Sequence, residues 1–197
     1  MIKFKRKIIC FLILFGCFLI GRIYLVNWNV PKVQTEYYSI GESITMDNGE
    51  ADETDEKLKN YSMKVEKKEL MTAVDFCEKY QFEQSEETAY TYSYYYLVIV
   101  SFYNHNQEDD NSYGISLNSI VLLKDDGYIM LNEDAFLAVN PNMPGTGFAL
   151  RGDSGLTMTL VYGIGTENGS EVKDGEVKHL RGLLVTEAPV RKIYLFD

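Results

Sequence analysis

At 197 residues, with 29 Asp and Glu against 19 Lys and Arg and a formal charge of −10, the chain is long enough for one domain with a sizeable core behind a short N-terminal segment. The basic residues of the first 28 stand where no acid does, so the rest carries 14 Lys and Arg against 29 acids, a formal charge of −15. That balance disfavours nucleic acid as a partner, because phosphate backbones are bound through Lys and Arg; it reads first as a solvated, soluble surface and leaves cationic partners such as basic peptides or Ca2+ open.

Lys3, Lys5, Arg6 and Lys7 precede an apolar run from Ile8 to Trp28. At about 1.5 Å per residue this run reaches roughly 31 Å, which predicts a single transmembrane helix over 8–28. Ile8, Phe11, Leu14 and Leu19 are its apolar anchor residues, Arg22 snorkels near the outer end, and Tyr24 and Trp28 suit the interface. Basic flanks stay inside, so 1–7 is expected as a cytoplasmic tail and everything after Trp28 outside the cell. Two processed forms compete. A cleavable secretory signal needs small residues after its core, whereas Arg22, Ile23, Tyr24 and Leu25 follow Gly21. A lipoprotein would be cut before Cys17, where Leu14-Phe15-Gly16-Cys17 resembles a lipobox with a bulky Phe15. Cys77 is then alone in the outer part, so no intrachain disulfide forms there, and it reads as a small apolar residue beside Phe76.

Residues 29–36, broken by Pro31, form a linker that extends at most roughly 28 Å. The domain spans 37–197. Two short strands flank Gly41, and Asn48 to Lys57 is an acidic stretch in which Gly49 comes too early for a Ca2+ loop of the EF-hand type. Tyr61, Met63 and Val65 alternate with Ser62, Lys64 and Glu66, the period of a half-buried strand. Leu70, Val74 and Phe76 or Cys77 recur at helical spacing, predicting one short helix or a pair of turns that covers a sheet edge.

Tyr90 to Tyr103 is the expected central strand, with Val98, Val100 and Phe102 toward the core. Its first half places Tyr90, Tyr92, Tyr94 and Tyr96 on one face, an aromatic ladder that would serve as an interaction surface if exposed. In the following polar loop His105, Asp109 and Asp110 are candidate metal ligands, although the other histidine, His179, is far along the chain. Ile115 to Val121 alternates as a strand, and Asp126-Gly127 signals a hairpin into Tyr128 to Leu131. Asp134 to Val139, Phe148 to Arg151, Gly155 to Tyr162, Leu180 to Thr186 and Arg191 to Phe196 read as further strands. Arg151-Gly152-Asp153 matches an adhesion tripeptide but is also what a loop between strands requires. Gly163 to Gly169 is glycine-rich without the spacing of a nucleotide cradle.

The stretches YYLVIVSFYNHN, SLNSIVLLKDDGYIM and PGTGFALRGDSGLTMTLVYGI resemble a family of anchored extracytoplasmic immunoglobulin-like domains of Gram-positive bacteria, domain of unknown function 5028, related to domain of unknown function 4352. The shared features are an apolar strand ending in Asn (here Asn104), an Asp-Gly hairpin (Asp126-Gly127), and a Pro-Gly turn before two strands (Pro144-Gly145). The resemblance implies a β-sandwich at the cell surface and supplies no catalytic residues. The expected fold is therefore all-β, an immunoglobulin-like β-sandwich with one short helix behind a transmembrane helix. The expected function is a membrane-anchored binding or accessory module of the envelope, beside another envelope protein such as a transporter, without catalysis, metal or cofactor. The alternatives are a processed lipoprotein of the same fold and a wall-polymer binder or hydrolase using two carboxylates. His105 and His179 sit among polar residues, which argues against Ser-His-Asp chemistry.

Overall fold

The computed structural model describes residues 2–28, 33–46, 60–84, 90–106, 114–167, 180–187 and 190–196. They fall into two compact units, 1–33 and 34–197. In the first, helix α1 spans Ile2–Trp28, with the Tyr24 and Trp28 rings 5.6 Å apart. Leu14, Leu19, Tyr24 and Trp28 are exposed, while the side chains of Ile8 and Phe11 lie outside the described residues. Among the described residues no helix is long and apolar enough to cross a membrane. This overturns the expected transmembrane helix, whose apolar run is interrupted by the charge of Arg22, which costs about 2.5–3.5 kcal/mol near mid-bilayer.

The second unit is mostly β and sandwich-like. Its strands are β1 (Gln34–Tyr38), β2 (Ser43–Thr45), β3 (Tyr61–Thr72), β4 (Tyr90–Asn104), β5 (Ile115–Ser116), β6 (Val121–Lys124), β7 (Gly127–Ile129), β8 (Gly147–Phe148), β9 (Ser154–Glu167), β10 (Leu180–Thr186) and β11 (Val190–Leu195). One sheet runs β1-β11-β10-β6-β7, a second runs β2-β3-β4-β9, and β5 pairs with β8. Strand β1 lies parallel to β11, from Gln34 beside Val190 to Tyr38 beside Tyr194. The Asp-Gly hairpin forms as expected, with Lys124 opposite Gly127.

The core follows from strand periodicity. Val98, Val100 and Phe102 of β4, with Met158, Leu160 and Tyr162 of β9, share one buried cluster with Leu122, Leu183, Val185 and Tyr194 of the other sheet. Each such side chain contributes about 1.5–3 kcal/mol on burial. Two buried phenols bond to backbone across the core. Tyr194 Oη lies 2.8 Å from both Glu42 O and Met63 O, and Tyr162 Oη donates to Ile120 O at 3.0 Å.

Two short helices correct the expectation of a single one. Helix α2 (Ala73–Tyr80) begins at Thr72, whose hydroxyl accepts from Asp75 N, and ends at Gln81 in the left-handed region. It covers a sheet face rather than an edge, because Phe76 stacks on Tyr95 with centroids 4.0 Å apart. The segment expected as a strand over Asp134 to Val139 is helix α3 (Glu133–Val139). Asn132 caps it by accepting from Ala135 N, and Glu133 and Asp134 occupy its first turn, where acids are favoured. Ala135 joins Leu97 and Val161 in the same outer cluster. The expected strand over Ile115 to Val121 is likewise interrupted by a 3-10 turn at Leu117–Ser119.

The ends of α3 also close the open edge of β9. Asn132 N donates to Val161 O at 2.9 Å, and the Asn140 carboxamide donates to Thr159 O while accepting from Thr159 N at 3.0 Å. One side chain thus reproduces the paired bonds of a neighbouring strand, which protects an otherwise sticky edge.

Candidate functional site

The tyrosine ladder does not form. Cross-strand register shifts between Tyr92 and Tyr94, and a bulge of this kind inserts one residue and reverses the face of everything beyond it. Tyr92 therefore packs with Tyr95 in the outer cluster, whereas Tyr94 and Tyr96 turn into the main core. The Tyr90 side chain lies outside the described residues. Burial pushes the Tyr96 phenol up to about 12, so these rings act as packing.

The chemistry-bearing side chains gather instead on the half of the outer face of the four-stranded sheet that neither short helix packs against. Helices α2 and α3 cover the half with Tyr95, Leu97 and Val161. The other half carries two polar rows set by strand pairing. Lys64, Ser101 and Thr157 are opposite one another across β3, β4 and β9, and so are Ser62, Tyr103 and Gly155. A second bulge, between Val65 and Lys67, adds Glu66 to the first row. Lys64 Nζ lies 2.8 Å from the Glu66 carboxylate, and Ser101 Oγ is 2.9 Å from Thr157 Oγ1. The Lys64 ammonium first, then the Ser101 hydroxyl, holds the Glu66 carboxyl below its usual range.

In the second row the Tyr103 ring lies over Gly155. A Cβ there would meet Phe102 O and Tyr103 Cδ2 at 3.1 Å, so a side chain at 155 would push the ring a few tenths of an ångström off the strand. Tyr103 Oη donates to Asp153 Oδ1 at 2.5 Å, a bond that pushes its phenol up. The His105 ring packs on Tyr103 with centroids 4.7 Å apart, and His105 Nε2 lies 2.9 Å from Ser62 Oγ. Tyr103, 37 % exposed, is thus a ring fixed below, beside and at its tip.

Three sequence-level candidates meet this end of the sheet. Of the metal set, His105 is here, while Asp109 and Asp110 lie outside the described residues, as does His179. Among the described residues no group of three His, Cys, Asp or Glu is placed to hold a metal. In the Arg151-Gly152-Asp153 turn, Asp153 has φ +51, its N–H donates to Asn106 O at 2.8 Å, and its carboxylate is engaged by Tyr103. The Ser62–His105 contact is the first bond of a nucleophile and base. Ser62 is buried, however, and among the described residues no carboxylate bonds the other ring nitrogen.

Asn104 organises the turn behind the ring. Its buried carboxamide donates to Leu150 O at 2.9 Å and accepts from Asn106 N at 3.0 Å. Tyr61 Oη also lies within bonding distance of both Leu150 N and Leu150 O. Residues 35–192 match the family model described as Domain of unknown function (DUF5028). The chain belongs to this family. No curated protein and no solved structure matches it. In this DUF5028 domain, Asn104 is the strand-ending Asn of the resemblance, and its role is to hold the segment that places Asp153 at the Tyr103 hydroxyl.

Sequence reasoning missed Ser62, Ser101, Tyr103 and Thr157 as a group. The usable signal was the period of two running through Ser101, Tyr103 and His105, which continues the polar side of β4 past its apolar centre.

Proposed function

We propose that this domain is a non-catalytic binding or accessory module of the cell envelope, acting outside the cytoplasm. The carrying observation is the Tyr103 face: a fixed aromatic ring and hydrogen-bonding groups laid out on a sheet. Groups held in place before contact lose little freedom on binding, which favours recognition. Support for the location comes from the basic cluster Lys3 to Lys7 ahead of an apolar stretch, the pattern of segments that direct chains for export. The formal charge of −15 beyond residue 28 suits a cationic envelope protein, such as a transporter, or a basic peptide that meets the acidic remainder of the surface as a further partner. A photo-crosslinking residue at position 157, on the polar row, tests this in intact cells. Capture of an envelope component from outside is the expected result. Crosslinks only to cytoplasmic proteins would overturn the location, and release of wall fragments by the purified chain would replace binding with hydrolysis.

A further inference from the structure

Resting on that reading of a binding module, we propose that the Tyr103 face takes an uncharged chain of pyranose sugars, one ring stacked on Tyr103 and its neighbours bonded along the row of Lys64, Glu66, Ser101 and Thr157. A pyranose has an apolar C–H face and a rim of hydroxyls, so it needs an exposed aromatic plane beside alternating donors and acceptors. Tyr103 supplies the plane, held by Gly155, His105 and Asp153. The polar row supplies an ammonium, a carboxylate and two hydroxyls within bonding reach of one another. The polar row lies beside the ring, with Ser101 two residues before Tyr103 on β4, so its groups meet the hydroxyls of the stacked sugar and of its neighbours.

Charge separates sugar from peptide. On a chain this acidic, the face is balanced: Lys64 is paired with Glu66, and Arg151 stands two residues from Asp153 in the same exposed turn. Among the described residues a neutral ligand meets charges of both signs at this face, whereas a basic peptide gains more from the acidic remainder of the surface.

The full chain is titrated by calorimetry with the hexamer of N-acetylglucosamine, the 1,4-linked hexamer of glucose, and oligolysine. Binding of at least one hexamer is expected. Tyr103→Ala should weaken it about tenfold or more and Tyr103→Phe, which keeps the ring, by less than about threefold. Thr157→Glu leaves the ring intact and puts bulk and charge on the exposed row. It should weaken sugar binding about fivefold or more even if Tyr103→Ala fails to fold. Absence of binding by both hexamers, unchanged affinity in folded Tyr103→Ala or in Thr157→Glu, or displacement of sugar by oligolysine overturns the proposal. If both hexamers fail while crosslinking still captures an envelope protein, the saccharide inference falls and the binding-module reading stands. If crosslinking also captures nothing, both fall.

Discussion

The ring of Tyr92 occupies the space above Gly163: a Cβ built on Gly163 would come within 2.5 Å of Tyr92 Cδ1 and Cε1 and 2.8 Å of Cγ. Residue 163 has no side chain because the shifted Tyr92 ring fills its place. Gly163→Val should therefore cost about 1–3 kcal/mol by overpacking, lowering Tm by roughly 3–10 °C for a domain of this size. In the Tyr92→Ala background the same substitution should cost less, and thermal melts of the four-member cycle would show the coupling.

Alkaline pH should unfold the domain through its buried phenols. Burial raises the folded pKa values of Tyr95, Tyr96, Tyr162 and Tyr194 above the ordinary value of 10. In the unfolded chain these phenols ionise near 10. A raised folded pKa gives stability that is whole below pH ~10 and lost as pH climbs toward the folded value, about 12 for Tyr96. Each tyrosine contributes up to about 1.4 kcal/mol per pH unit above 10. Urea melts at pH 8, 9 and 11 should show near-constant stability up to about 9 and then a steep fall. A flat profile to pH 11 would contradict it.

Asn140 makes a sharper case for specific geometry. Its carboxamide donates to Thr159 O and Phe136 O and accepts from Thr159 N. Asn140→Asp keeps the shape but turns a donor into an acceptor against two carbonyls, so it should destabilise at least as much as Asn140→Ala, by about 1–3 kcal/mol. Both variants uncover the β9 edge, and light scattering should report more self-association.

Tyr95 offers the opposite sign. Its hydroxyl is buried with no hydrogen-bond partner among the described residues, while its ring stacks on Phe76 and meets Phe82 edge-on. Tyr95→Phe keeps both ring contacts and removes an unpaired polar atom, which should raise stability by about 1 kcal/mol. A fall in Tm for this variant would mean that the hydroxyl is satisfied.

The sequence was most informative where period and burial agree. The β4 core residues Val98, Val100 and Phe102, the strand Leu180–Thr186 and the Asp-Gly hairpin all stand where alternation and turn chemistry place them. Glu133–Val139 was legible as a helix, through Asn132 followed by two acids, but one and a half turns of apolar residues also read as a strand. The tyrosine face was not legible, since a bulge leaves the alternation of letters intact while reversing the side chains in space. Nor was the Ser62–His105 contact, which joins residues 43 apart and depends on the register of two strands.

The parallel pairing of β1 with β11 sets how the domain answers a pull. Gln34 lies beside Val190 and Tyr38 beside Tyr194, so tension applied at residue 34 and at residue 195 draws the two strands past each other in opposite directions. Their backbone bonds are then loaded together in shear instead of being unzipped one by one. A domain tethered through its first strand and gripped through its last would behave as a mechanical clamp, yielding only when the whole row of bonds gives way at once.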